Sequence, residues 1–160
     1  MPLRLAILLL LTVCVLPAAT RKYDGPRPPR PDIPYLLHAD NLIETEAAEA
    51  QEEDRGREVL NSIAGASSPA RTPLAEPIFL IDAQKIAPEK LELYRFEVRR
   101  GRREITFPKK ESKNAPRPIR VIVTQIEGKL YRVEANETLE NGEYGLSPAG
   151  SRQVFAFQVY

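Results

Sequence analysis

Cysteine is almost missing from this chain of 160 residues: it occurs once, as Cys14. A single thiol builds no disulfide framework within the chain, so stability must come from a packed core. Tryptophan is absent, and histidine and methionine occur once each. The lone imidazole, His38, has no second histidine with which to build a zinc site, and Asp40, Glu44 and Glu46 do not stand at a ligand spacing from it. A local hydrogen bond at a strand end is the reading for His38. Glycine is sparse at eight residues, and no Gly-rich phosphate loop, nucleophile elbow or His-rich metal motif occurs. No cofactor or metal is therefore implied.

Apolar sequence is concentrated at the start. Arg4 precedes an uncharged apolar run over residues 5–16, and Pro17, Ala18, Ala19 and Thr20 follow it. Charge, apolar stretch and small residues in that order mark an export signal, cut after Ala18 or Ala19. The run is well short of the roughly 20 residues that cross a bilayer, so residues 1–19 read as a signal peptide and no transmembrane span remains after processing. Leu11, Thr12, Val13 and Cys14 also resemble a bacterial lipoprotein box, in which Cys14 would be lipidated, although Val13 departs from the small residue that pattern wants. Losing the leader removes Arg4 and Cys14, leaving 22 basic against 22 acidic residues and no cysteine. Such a balance gives no ground for nucleic acid or an anionic membrane as partner.

Proline is plentiful, with 15 residues, five of them within positions 26–34. That density favours polyproline II and cannot pair in a sheet, so residues 20–34 read as an extended linker and residues 35–160 as the domain. The domain reads as all-β. Residues 35–43 form the first apolar stretch and the expected first strand. Residues 44–57 leave two readings open, a short solvated helix favoured by Ala47, Ala48 and Ala50, or two strands joined by a charged tip; the missing helical period favours strands. Pro69, Pro73 and Pro77 keep residues 65–77 extended along a sheet edge, residues 78–81 form a buried strand, and residues 82–90 a loop or single helical turn.

Two hairpins follow. Tyr94, Phe96 and Val98 alternate with Arg95, Glu97 and Arg99, the chain turns at residues 100–102, and Ile105 and Phe107 resume the alternation, which predicts one apolar and one charged face. After a basic connection over residues 109–118, a second hairpin runs through Val121 and Val123, turns at residues 127–129, and returns through Tyr131 and Val133. The chain closes with Asn141-Gly142, Tyr144, Leu146, Phe155, Phe157 and Val159. Strands arriving about every 8 to 12 residues indicate an antiparallel β-sandwich of the immunoglobulin or fibronectin kind. In such a sandwich Tyr144 is structural: buried, with its hydroxyl bonded to backbone near Leu139 or Glu140.

Charge is uneven along the chain. Residues 41–58 carry seven acidic side chains against Arg55 and Arg57, and residues 95–120 carry ten basic ones against three acidic. Arg99, Arg100, Arg102 and Arg103 are the candidate binding residues, as a patch for polyanions with Tyr94 or Tyr131 as stacking surface. The alternative is a solvated hairpin tip, facing the acidic run. Paired carboxylates offer the one route to catalysis, of the glycosidase kind, yet the acids cluster in one solvated run, so no catalytic residue is assigned. Asn136, Glu137 and Thr138 form an N-glycosylation sequon.

Residues 131–148, which contain Leu139, Asn141-Gly142-Glu143-Tyr144 and Leu146, together with the closing Phe157-Gln158-Val159, resemble the tail of exported bacterial proteins of unknown function. Those proteins carry a leucine, a Pro-Gly-Glu-Tyr or Asn-Gly-Glu-Tyr turn and a final Phe-x-Val strand. The resemblance implies a secreted or periplasmic β domain and transfers no catalytic residue. The expectation is an exported, non-enzymatic module of the bacterial envelope, binding a protein or a glycan through a loop face or an exposed strand edge at Tyr160. The alternatives are a small carboxylate-dependent hydrolase and a polyanion-binding module.

Overall fold

The computed structural model describes residues 22–160; the stretch read as a signal peptide, with Cys14, lies outside the described residues. Among these residues the chain forms strands joined by turns, with one short 3-10 turn at Pro88–Lys90. Two antiparallel sheets pack together as a β-sandwich. The first sheet contains β1 (Tyr35–His38), β2 (Asn41–Glu44), β7 (Ile78–Asp82), β10 (Val121–Glu127) and β11 (Leu130–Ala135), in the order β10-β11-β7-β1-β2. The second contains β3 (Glu46–Glu49), β4 (Gln51–Asp54), β5 (Glu58–Ala64), β8 (Leu91–Arg99), β9 (Arg102–Pro108), β12 (Gly142–Pro148) and β13 (Gln153–Val159), in the order β3-β13-β12-β8-β9-β5-β4, with β6 (Arg71–Thr72) added alongside β13.

The core between the sheets comes from alternate positions. Leu36, Phe79, Ile81 and Val133 of the first sheet meet Leu91, Leu93, Tyr144, Leu146, Phe155 and Phe157 of the second. Phe157 meets Phe79 edge-on with centroids 5.0 Å apart and stacks on Tyr144 at 5.7 Å. Tyr144 is 1% exposed, and its hydroxyl donates to the Glu140 carbonyl at 2.8 Å. Arg95 crosses above the same ring, donating to Glu140 Oε2 at 2.6 Å and to the Asn141 carbonyl at 3.2 Å. A Cβ at position 142 would lie 3.2 Å from the Arg95 Nε, so the Asn-Gly turn also gives the guanidinium its path.

The second sheet closes on itself. Its two ends, β3 and β4, are consecutive in the chain and separated by Ala50 alone. One bent strand therefore pairs with β13 through its first half and with β5 through its second. Counting β3 and β4 as one stave, the result is a six-stranded antiparallel barrel whose inside is a second, smaller apolar cluster of Ala50, Ile63, Val154 and Ala156 with Ala48 and Phe96. The outer wall of this barrel is one layer of the sandwich.

This arrangement corrects several expectations and decides between the two readings of residues 44–57 in favour of strands. Residues 35–43 are a hairpin rather than one strand, because Ala39 takes a φ of 51° and the turn-forming Asp40 and Asn41 outweigh the apolar continuity. Residues 44–57 are strands, and their charged tip is Arg55, Gly56 and Arg57, with Gly56 at a φ of 74°. β8 lacks a single apolar face: Leu91 and Leu93 enter the sandwich core, Tyr94 and Phe96 turn into the barrel, and Val98 is 50% exposed. The closing strand is not a free edge, since β13 is flanked by β12, β3 and β6, and Tyr160 N–H donates to the Thr72 carbonyl at 3.1 Å.

The proline-rich linker is tied down rather than hanging free. Asp32 Oδ1 accepts the N–H groups of Gln84, Lys85 and Ile86 at 2.9, 2.8 and 3.0 Å. Burial pushes the Asp32 carboxyl up, but these three donors and the Lys85 charge outweigh it and hold it below its usual value. Arg27 and Arg30 form ion pairs with Glu127 and Glu44, further along the same sheet. His38 ends β1 with its Nε2 2.7 Å from Thr72 Oγ1, a hydrogen bond at a strand end as expected, but to β6 of the other sheet and not a local one.

Candidate functional site at the barrel mouth

The barrel has a closed end and an open end, and both follow from side chains that pleating turns inward. Cross-strand register places Ile63 opposite Arg103, Phe96 opposite Glu143 and Ala156 opposite Glu46, on one inner face. Near one end these residues bring together Arg103, Glu46 and Glu143. Arg103 is 0% exposed and grips Glu46 bidentately at 2.6 and 2.8 Å. Its remaining donors reach the Gly65 carbonyl at 3.0 Å and the Ala64 carbonyl at 2.6 Å. Glu143, 4% exposed, lies 3.8 Å from Arg103 and accepts the Ser68 N–H at 2.9 Å. The Arg103 hydrogen bonds hold the Glu46 carboxyl below its usual range against the opposing effect of burial, with help from the Ser68 hydroxyl.

At the other end β8 and β9 part company. Their ladder is three residue pairs long, from Glu97↔Glu104 to Arg99↔Arg102. Beyond it β8 stays with β12 and β9 stays with β5, so the wall spreads. Tyr94 and Phe107 bridge the gap edge-to-face, with centroids 5.3 Å apart at 85°. The segment after the basic connection covers part of the seam, where Ile119 N–H donates to the Leu93 carbonyl at 2.7 Å.

This spreading opens a cavity of about 280 Å³ above the Arg103 cluster. Its apolar walls are Ile63, Tyr94, Phe96, Ile105 and Phe107. Polar residues line it from four strands: Glu52 of β4, Asn61 of β5, Glu92 of β8 and Ser147 of β12, whose hydroxyl donates to the Gln153 carbonyl at 2.7 Å. Gly145 makes the inner width possible, because a Cβ there would stand 2.7 Å from the Phe96 ring and 2.8 Å from Val154. Tyr94 donates its hydroxyl to Glu92 Oε2 at 3.1 Å. Burial first, and then the Glu92 charge, push the phenol up to about 12, so it remains a donor at neutral pH. Apolar walls with a few convergent polar groups are the usual make-up of a ligand site.

The chain was compared with protein-family models, curated proteins and solved structures. None of them matches.

The four arginines singled out by sequence are not gathered into one patch. Arg103 is the clear correction: it points into the barrel and is held there by Glu46 and two carbonyls, because position 103 falls on the inner face of β9. Arg99 pairs with Glu97 at 2.6 Å and Arg102 with Glu104 at 2.8 Å. Arg100 is exposed at the hairpin turn, where it and Gly101 have φ values of 51° and 73°, the positive values of a two-residue hairpin loop. The acidic run is likewise divided, with Glu46 in the barrel floor, Glu52 at the mouth and Glu53 paired with Arg55. Tyr131 packs against the sandwich core, and of the two proposed stacking tyrosines only Tyr94 lines the cavity.

Glu52, Asn61, Glu92, Phe107 and Ser147 were not singled out by sequence. The available signal was the alternation of Glu92, Tyr94 and Phe96 on one side of β8 and Leu91 and Leu93 on the other. Apolar residues on both faces of one strand mark a strand covered twice.

Proposed function

We propose that this protein is an exported, non-enzymatic binding module of the bacterial envelope, which recognises a glycan by admitting one sugar residue into the mouth of its barrel. The observation that carries the reading is the cavity itself. Aromatic faces at Tyr94 and Phe107 stand beside the carboxylate of Glu92 and the side chains of Asn61 and Ser147. Aromatic rings cover the C–H face of a sugar, while carboxylate, amide and hydroxyl groups take up its hydroxyl groups, so the pocket offers both halves of that recognition. At about 280 Å³ it is at the lower limit for drug-sized ligands and suits one ring of a longer chain. Export is supported by the leader read over residues 1–19.

A glycan array probed with the protein and with its Phe107→Ala variant tests this. Signal on particular glycans that the variant loses is expected. An array blank for the wild type, or signal undiminished in the variant, would overturn the reading.

One observation favours a second reading, a carboxylate-dependent hydrolase: Glu52 and Glu92 line the same cavity. Two carboxylates flanking a sugar are the equipment of most glycosidases. Release of new reducing ends from a bound glycan, abolished in Glu92→Gln, would replace the binding module with an enzyme on the same scaffold.

A further inference from the structure

Resting on the reading of the barrel mouth as a glycan site, we infer that the group it selects is cationic: the free ammonium of an amino sugar rather than a neutral or acidic one. Three features of the molecule converge on this. First, among the described residues the cavity is lined by two carboxylates, Glu52 and Glu92, and by no lysine, arginine or histidine. An acidic sugar brought there would meet like charge with no counter-ion, whereas an ammonium would neutralise the lining.

Second, Tyr94 and Phe107 meet at 85° and form a two-walled aromatic corner. The negative faces of such rings attract a cation held within about 6 Å of the ring centre, and the attraction strengthens when the site is partly dry. Tyr94 also fixes the acceptor, since its hydroxyl bond to Glu92 Oε2 leaves Oε1 free to accept from an ammonium N–H. Third, the floor is formally negative as well. Among the described residues Arg103 is its single cation, set against the carboxylates of Glu46 and Glu143, and four of its five N–H donors are committed to Glu46 and to two carbonyls. At the hairpin tip Arg99 and Arg102 are paired with Glu97 and Glu104, and Arg100, exposed at the turn, stands at the closed end of the barrel and not in the cavity lining.

The test is calorimetric titration of the protein at about pH 6, where the amines of a glucosamine oligomer are largely protonated, with four probes: tetramers of glucosamine, of N-acetylglucosamine and of glucose, and tetramethylammonium. The glucosamine tetramer is expected to bind about tenfold or more tightly than either neutral tetramer, to weaken with added salt, and to lose about tenfold in Glu92→Gln. Equal binding of the three tetramers, indifferent to salt and to Glu92→Gln, would overturn the inference while leaving a glycan site. Binding of tetramethylammonium with no binding of any tetramer would support a cation site and remove the glycan reading. No binding by any probe would overturn both. Should Glu92→Gln fail to fold, Glu52→Gln and the salt dependence of the wild type carry the same comparison.

Discussion

Replacing Arg103 with alanine separates a buried strut from a solvated hairpin arginine. In the native protein its side chain makes four hydrogen bonds, two to Glu46 and one each to the Gly65 and Ala64 carbonyls. Without it, two carboxylates share the barrel floor with no cation, and both carbonyls lose a donor. Removing one partner of a buried ion pair costs about 3–5 kcal/mol. Glu46 keeps 25% of its side-chain exposure, so water recovers part of its solvation and a loss of about 3 kcal/mol is expected. That is a large share of the roughly 5–15 kcal/mol that holds a typical domain together. With a urea dependence of about 1–3 kcal/mol per molar, the unfolding midpoint falls by about 1–3 M. The double variant Arg103→Met, Glu46→Leu, which replaces the pair with apolar groups, is expected to lie closer to wild type than the single variant. A midpoint change equivalent to less than about 1 kcal/mol for Arg103→Ala, the range of an exposed arginine, would refute the strut.

Three further outcomes follow from the same contacts. Tyr144→Phe removes the 2.8 Å bond to the Glu140 carbonyl and is expected to lower stability by about 1 kcal/mol in the same urea assay. Gly145→Ala forces a Cβ to 2.7 Å from Phe96 and 2.8 Å from Val154; thermal unfolding should show a loss of about 1–3 kcal/mol, and ligand affinity should drop as the lumen narrows. Glu46 has a folded pKa below its ordinary 4.5, so the unfolded chain binds the proton more tightly. Its contribution is then complete above 4.5 and is lost as pH falls through the folded value. Urea midpoints measured downward from pH 5 should fall more steeply for wild type than for Glu46→Gln, and parallel profiles would contradict the pairing.

Much of the strand plan was legible from local pattern. The hairpins around Gly101 and Gly128 declare themselves by alternation, and the Leu139 to Tyr144 turn by its Asn-Gly and tyrosine. The barrel was not legible, for two physical reasons. Its closure depends on Ala50 carrying the chain from β13 to β5, a long-range pairing that leaves no periodic signal in residues 44–57. Its inner face also mixes Glu46, Arg103 and Glu143 with Phe96 and Ile63, so an apolar-in, polar-out rule assigns those charges to solvent. The same rule obscured the cavity, since Tyr94 and Phe96 read as the one buried face of a strand that is in fact covered on both.

A ligand bound as proposed enters the barrel mouth. A nuclear magnetic resonance titration of the isotope-labelled protein with the glucosamine tetramer tests it most directly, because the absence of tryptophan leaves no indole emission to follow. Saturable shift changes centred on Tyr94, Phe96, Ile105, Phe107 and Gly145 are expected. Shifts centred instead on the hairpin tip at Arg99, Arg100 and Arg102, with the mouth unmoved, would contradict it.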